Sequence, residues 1–203
     1  GSDVFEIQNI NTNSKYSDYS STFIGDTLLF ASAKPRSVGN QIYARTDQPY
    51  TNLYFSVKQA DGNYSKPDLY SKKTFSIFHE ASPVFSPDGN VMYYTQNELK
   101  ENKSKKVVNG LFKIYKSERT NGRWKNLGVQ DIFAKDSARV AHPAVSPDGK
   151  TLYFASDARG SFGQSDLFKV TINEDGSYTA PENLGTNINT EGRESYPFVT
   201  KDN

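Results

Sequence analysis

The sequence contains no cysteine, and it has only two histidines, one methionine and one tryptophan among its 203 residues. Without cysteine, a disulfide framework, a thiolate zinc site and a cysteine nucleophile are all excluded. No apolar run approaches about 18 residues, the length that a membrane-spanning helix needs. Helical periodicity is nowhere sustained, so we expect almost no helix.

Charge of one sign is also missing. The 24 basic and 23 acidic residues give a formal net charge of +1. This balance offers no electrostatic reason to expect nucleic acid or an anionic membrane as the partner, and we expect neither nucleic-acid binding nor direct membrane insertion.

Catalytic motifs are absent as well. The histidines, His79 and His142, stand at non-equivalent places in the repeats described below, and no nucleophile elbow, metal-spaced His/Glu set or phosphate loop accompanies them. Gly160 to Gly163 contains two glycines but lies between strands with no helix to follow, so a phosphate cradle is not expected. We therefore expect a protein without catalytic activity, cofactor or metal.

The sequence does contain a repeated hairpin. The stretch from Ser82 to Tyr94 recurs almost letter for letter from His142 to Phe154, and Thr22 to Ala31 is a weaker copy with a tighter Gly-Asp turn. In both strong copies Ser-Pro-Asp-Gly joins two runs rich in Val, Phe, Tyr and Leu, the pattern of two strands around a tight turn. Asp88 and Asp148 are accordingly interpreted as turn residues rather than catalysts.

Each hairpin is followed by two more predicted strands. The third strands are Asn52–Val57, Gly110–Tyr115 and Ser165–Val170. A second tight turn, an aromatic residue and a short fourth strand ending near Leu69, Leu127 or Leu184 come next. Four antiparallel strands in a unit of about 40 to 60 residues predict a β-propeller blade. A β-sandwich is the alternative, but it does not require one hairpin with one turn chemistry at a fixed period.

The predicted blade bounds leave one blade incomplete. Gly1-Ser2 is typical of a cloning scar, and the blades cover approximately residues 14–72, 78–134 and 138–186, with an incomplete blade from 3–12 and 194–203. Val4–Ile7 is its expected outer strand and Pro197–Thr200 its inner strand. Because an open ring exposes unpaired strand edges, we expect residues 3–203 to be a single, partial propeller domain belonging to a larger ring.

Three phrases carry a family resemblance. They are Ser-Pro-Asp-Gly-x-x-Leu-Tyr-Phe from Ser146 to Phe154, Gly-x-x-Asp-Leu-Phe from Gly163 to Phe168, and Pro-Glu-Asn-Leu-Gly with Ile-Asn-Thr from Pro181 to Thr190. Together they resemble the TolB-type, WD40-like propeller repeat in the form found in OmpA-family proteins of the Bacteroidota. The resemblance implies a periplasmic, outer-membrane-associated protein, in some members part of type IX secretion or gliding assemblies. Peptidoglycan binding is implied only through a domain that this chain does not contain.

Loop lengths point to one end of the blades as the binding surface. We label the four strands of each predicted blade A to D in chain order. The A–B and C–D turns are short, whereas the B–C loops are expected over residues 33–51, 96–109 and 157–164. Variable loops on a rigid scaffold are where binding usually resides, and Tyr and Arg are favoured anchors. Lys100 to Lys106 is expected to be a solvated loop tip. The partner-binding candidates are Arg36, Tyr43, Arg45, Tyr50, Arg159 and Phe162.

A second group of candidates precedes the inner strands. Glu80 and Glu194 stand three residues before a hairpin proline, Asp18 occupies the matching place in the first blade, and Val140 interrupts the series. These carboxylates would lie at the mouth of the central channel, where they could hold a hard cation or a basic peptide. The neighbouring Arg139, His142 and Arg193 favour neutralised ion pairs instead.

Two functions remain open from the sequence. The favoured one is a non-catalytic scaffold that binds protein partners of a cell-envelope complex. The alternative is a glycan- or peptide-binding module that uses aromatic platforms.

Overall fold

The structure, a computed structural model, describes residues 9–35, 42–43, 48–49, 52–70, 83–101, 107–121, 123–133, 138–200 and 202. The chain divides into two compact units, Gly1–Ser76 and Ile77–Asn203. This division falls between the first and second predicted blades. The expectation of a single domain stays a prediction.

The described residues are all-β and contain no helix, as predicted. Accordingly, the described residues contain no helix that is long and apolar enough to cross a membrane. The strands are β1 (Asp18–Ile24), β2 (Thr27–Ser32), β3 (Ile42–Tyr43), β4 (Gln48–Pro49), β5 (Asn52–Val57), β6 (Asp68–Leu69), β7 (Val84–Phe85), β8 (Val91–Glu101), β9 (Val107–Thr120), β10 (Arg123–Val129), β11 (Val140–Val145), β12 (Thr151–Ser156), β13 (Asp166–Thr171) and β14 (Glu182–Asn183).

Three four-stranded antiparallel sheets follow chain order from one edge to the other. They are β1-β2-β5-β6 in the first unit, and β7-β8-β9-β10 and β11-β12-β13-β14 in the second. These are the A, B, C and D strands of the three predicted blades, so the four-stranded organisation is confirmed.

The repeated Ser-Pro-Asp-Gly turn has the same hydrogen bonds in both strong copies. The Ser86 hydroxyl donates to the Asp88 carboxylate at 2.5 Å and accepts from the Val91 N–H at 2.9 Å. The Ser146 hydroxyl does the same with Asp148 at 2.5 Å and with the Thr151 N–H at 2.9 Å. The glycine of each turn has a left-handed backbone, with φ of 69° and 73°. The two aspartates therefore have the turn role that the sequence predicts.

The B–C loop predicted over residues 96–109 is largely strand, so that prediction was wrong. β8 and β9 continue their ladder past Asn97↔Phe112 to Glu101↔Val107, with one register shift between Asn97 and Leu99. This stretch is polar, and the backbone ladder forms without the alternation of apolar residues that would have indicated strands. Lys100 therefore lies in a strand, and residues 102–106 of the lysine-rich tip lie outside the described residues.

The first predicted B–C loop and the predicted C-terminal strand also differ from expectation. Residues 33–51 include the two-residue ladder of β3 and β4. Pro197–Thr200 is not a strand, because no described strand pairs with it. Val4–Ile7 lies outside the described residues.

Aromatic and aliphatic side chains form the core of each unit. In the second unit, Tyr93 and Ile114 of one sheet share a buried cluster with Leu152, Phe154 and Phe168 of the other. Adjacent blades therefore pack face to face. In the first unit, Phe30 stacks on Tyr54 with ring centroids 6.1 Å apart, and Leu28 completes a smaller cluster.

Candidate binding site

A buried aspartate organises the B–C loop of the last sheet. The Asp166 carboxylate accepts hydrogen bonds from the N–H groups of Phe162 at 2.8 Å and Gly163 at 3.1 Å, and from the Asn183 side chain at 2.7 Å. Burial, the largest single influence, acts to raise the pKa of Asp166. The three donors together outweigh it and lower the pKa from its ordinary value of 3.8. Asp166 is therefore held as a carboxylate that fixes the loop.

Asn189 ties the following segment to the same sheet. Its side-chain amide accepts from the Leu167 N–H at 2.8 Å and donates to the Leu167 carbonyl at 3.0 Å, as a neighbouring strand would. It also donates to the Asn183 side chain at 2.8 Å. Asp166, Asn183 and Asn189 come from the second and third of the motifs that carried the family resemblance, and they join these two motifs into one network.

The D–A segment, which follows the D strand β14, packs directly on the B–C loop. The Gln164 N–H donates to the Gly192 carbonyl at 2.7 Å, and the Glu194 N–H donates to the Ser165 carbonyl at 2.9 Å. A side chain at Gly163 would place its Cβ 2.3 Å from the Gly192 oxygen, so only glycine permits this approach. Residues 190–196 are thereby held beside the start of β11.

This packing forms a cavity of about 220 Å³ within the second unit. It opens at the end of the blades where the B–C and D–A connections lie, which is the end predicted to bind partners. Two short stretches line it, together with Thr95 of β8, Phe112 of β9, the end of β12 and the residues just before β13. The residues of these two stretches are Arg139, Ala141, His142, Arg193, Ser195 and Tyr196.

The charges around the cavity do not cancel. Arg139 Nε lies 3.4 Å from an oxygen of Asp157, and the other oxygen of that carboxylate accepts the Arg139 N–H at 2.7 Å. Arg193 contacts the neutral Gln164 side chain at 3.4 Å. Two arginines and one aspartate line the cavity, which leaves a formal surplus of one positive charge among these three side chains.

His142 and Tyr196 form an aromatic wall beside these arginines. Their rings stack with centroids 3.9 Å apart and planes 21° from parallel. Both residues precede a proline and have a left-handed backbone, with φ of 55° and 56°. His142 and Pro143 form a β-bulge opposite Phe154. Such bulges redirect a side chain, and left-handed non-glycine residues are concentrated at functional sites.

The predicted channel-mouth residues have separate roles. Arg139, His142 and Arg193 line the cavity. Glu194 instead accepts hydrogen bonds from the Thr190 hydroxyl at 2.6 Å and N–H at 3.1 Å. Asp18, in the first unit, accepts from the Ser14 N–H at 2.7 Å. The two described carboxylates are thus engaged by local turns rather than by a ligand, and Glu80 lies outside the described residues.

The predicted partner-binding residues are described only in part. Phe162 is 53% exposed, and Arg159 is exposed in the same B–C loop. Tyr43 lies on β3, but its side chain is outside the description. Arg36, Arg45 and Tyr50 also lie outside it.

Sequence reasoning missed Tyr196, Asp157 and Gln164 as site residues. A signal for the first was present in the repeat. Arg139 lies four residues before Pro143, and His142 lies directly before it. Arg193 and Tyr196 have the same spacing to Pro197. Comparing these two positions, rather than the carboxylates three residues before the proline, would have found both walls of the cavity.

Among the side chains that the structure describes, no three His, Asp or Glu residues lie close enough together to hold a metal ion.

A second cavity of about 280 Å³ opens at the opposite end of the blades in the same unit. Lys116 and Glu118 line it, and they form an ion pair at 2.8 Å. The side chain of Lys116 is only 10% exposed. Glu174 and Asp175 also line it, so its formal charge is negative, opposite in sign to that of the first cavity.

Comparisons with known proteins support the fold. The chain is similar to the crystal structure of TolB from Acinetobacter baumannii, with a TM-score of 0.50 and 18% identity over 82% of this chain and 32% of that one. At this identity the likeness shows the fold alone. Together with the three sheets, it defines the chain as a β-propeller protein with four-stranded antiparallel blades.

Two peptidase structures are also similar. A puromycin hydrolase has a TM-score of 0.38 and 14% identity over 86% of this chain and 33% of that one. A puromycin-hydrolyzing peptidase from Mycobacterium tuberculosis has a TM-score of 0.40 and 12% identity over 84% and 32%. The chain spans about a third of the length of each of these three structures. No protein-family model and no curated protein matches the sequence.

Proposed function

We propose that this chain is a non-catalytic interaction module that binds a protein partner through the B–C and D–A end of its blades. The observation that carries the proposal is the cavity at this end, with its two arginines, its stacked His142–Tyr196 wall and its surplus positive charge. Arginine and tyrosine are the residues most often found as interface anchors. The opposite end has short turns and a cavity in which Glu118, Glu174 and Asp175 outnumber Lys116.

The proposed setting is the periplasm, in an assembly associated with the outer membrane. Its support is the resemblance of the three sequence phrases to the propeller repeats of OmpA-family proteins. A role in type IX secretion or gliding belongs to the same proposal and has the same support. Peptidoglycan contact, if the whole protein makes it, would come from another domain.

Co-purification with paired arginine variants tests the interaction. Arg139→Ala with Arg193→Ala removes both guanidinium groups from the cavity. Arg119→Ala with Arg123→Ala is the matched control, because both of these residues are exposed beside the C–D turn at the opposite end. We expect the first pair to lose a protein that the wild type and the control retain. Equal retention, or equal loss, by the two pairs would reject the proposed surface.

Glycan binding is the second candidate function. It is favoured by the exposed aromatic residues beside the cavity, Tyr196 at 60% and Phe162 at 53% exposure, since aromatic faces stack on sugar rings. Tyr196→Ala separates the two functions. If this variant loses glycan-array binding while protein co-purification is intact, the glycan module is correct.

A further inference from the structure

The cavity at Arg139 and Arg193 has a size that limits what it can take. Its volume of about 220 Å³ is below the roughly 300–1,000 Å³ typical of small-molecule sites. A whole drug-sized ligand does not fit this space. One amino-acid side chain, or the last residue of a polypeptide, is of the right size.

The charge of the cavity selects the chemistry of that group. Arg139, Arg193 and Asp157 line the cavity, so one monovalent anion would neutralise its formal charge. One carboxylate oxygen of Asp157 pairs with Nε of Arg139, and the other accepts a hydrogen bond from the backbone N–H of the same residue. The two terminal nitrogens of a guanidinium match the planar geometry of a carboxylate.

The walls support the same choice. Ser165 and Gln164 are fixed by their bonds to Glu194 and Gly192, so the Arg193 side chain extends from a segment that is anchored on both sides. The stacked rings of His142 and Tyr196 offer an apolar surface for the methylene groups beside a carboxylate. A dianionic phosphate would carry more charge than the surplus of the site can neutralise.

From these observations, and resting on the proposed function, we infer that the cavity binds a single carboxylate of the partner polypeptide between Arg139 and Arg193. The carboxylate comes from an Asp or Glu side chain or from the chain terminus.

The test is a titration of the ¹⁵N-labelled chain followed by NMR, with four small probes. N-acetyl-glutamate N-methylamide carries only a side-chain carboxylate, N-acetyl-alanine only a terminal one, N-acetyl-glutamine N-methylamide none, and inorganic phosphate serves as the competing anion. We expect saturable shifts at Gln164, Ser165 and Arg193 with one or both carboxylates. The tighter of the two identifies the source.

Three variants and one control variant make the titration specific. Arg139→Ala and Arg193→Ala should each weaken carboxylate binding by about tenfold or more, the loss of a charged hydrogen bond. Asp157→Asn should tighten it, because it removes the competing charge while an oxygen still accepts the Arg139 N–H. Arg119→Ala with Arg123→Ala should leave the affinity unchanged.

Four results would overturn the inference: no saturable shift, equal binding of the neutral probe, tighter binding of phosphate, or weaker binding by Asp157→Asn. Failure here is distinguishable from failure of the proposed function. If the probes do not bind while the Arg139 and Arg193 variants still lose the protein partner, the interaction surface stands and only the carboxylate is wrong.

Discussion

Asp166 is the side chain on which the described binding site most depends. Asp166 is fully buried. Its carboxylate accepts hydrogen bonds from two backbone N–H groups of the B–C loop and from the Asn183 side chain. A buried carboxylate that accepts three hydrogen bonds stabilises the fold. Replacing it leaves buried donors without an acceptor. The loop in turn supports the segment that carries Arg193 and Tyr196.

Replacing this carboxylate should destabilise the second unit. Asp166→Asn keeps the shape but offers one acceptor oxygen and loses the charge, so we expect a loss of about 1–3 kcal/mol in the free energy of unfolding. Urea denaturation measures it. Asp131→Asn, the same change at an exposed position, is the control and should have almost no effect. Equal stability of the two variants would contradict the role of Asp166.

The same residue predicts a pH dependence. Because the folded-state pKa of Asp166 is lowered, its contribution is fully present above the unfolded-state pKa and is lost as the pH falls through the folded value. The difference in unfolding free energy between the wild type and Asp166→Asn should therefore shrink as the pH falls below about 3.8. The lowered pKa values of Asp88, Asp148 and Asp175 act equally in both proteins and cancel. A difference independent of pH would contradict this assignment.

The strands show which parts of the fold follow from sequence. The Ser-Pro-Asp-Gly turns were predictable because the serine, the aspartate and the glycine each satisfy a local requirement, and both copies have the same bonds. The extension of β8 and β9 was not, since its ladder consists of backbone bonds between residues without an apolar period. Local chemistry is visible in sequence, whereas pairing between polar segments is not.

The candidate site shows the same division. Arg139, His142 and Arg193 were singled out because they lie next to the hairpin prolines. Their assembly into a cavity depends on the approach of Gly192 to Gly163 and on the bonds of Asn189, both contacts between segments more than 20 residues apart. Such contacts leave no local signal. The motifs that make them were visible only as repeated phrases.

Packing between the last two sheets gives a further prediction. Phe154 has no exposed surface, and it stacks on Phe168 at 6.0 Å and contacts the edge of Phe133 at 5.9 Å. Phe154→Ala should reduce the free energy of unfolding by about 3–5 kcal/mol, the usual loss for a fully buried phenylalanine. Phe162→Ala is the matched control at 53% exposure and should cost little. Thermal or urea unfolding compares them, and similar losses would contradict the packing described.

The two units together define the class of protein but not its partner. Three four-stranded sheets and the likeness to TolB establish a β-propeller fold. A propeller scaffold supports many functions, so the partner must be inferred from the site and not from the fold. In the second unit, one end of the blades has short regular turns, and the other has the cavity with the surplus positive charge.

Site-specific photo-cross-linking in the native cells tests this asymmetry most directly. A photoreactive residue is placed either at Gln164, on the edge of the cavity, or at Lys150, in the Ser-Pro-Asp-Gly turn at the opposite end; both positions are exposed. The account predicts a discrete protein cross-link from position 164, lost when Arg139→Ala and Arg193→Ala are added, and none from position 150. A discrete cross-link from position 150 without one from position 164 would contradict it.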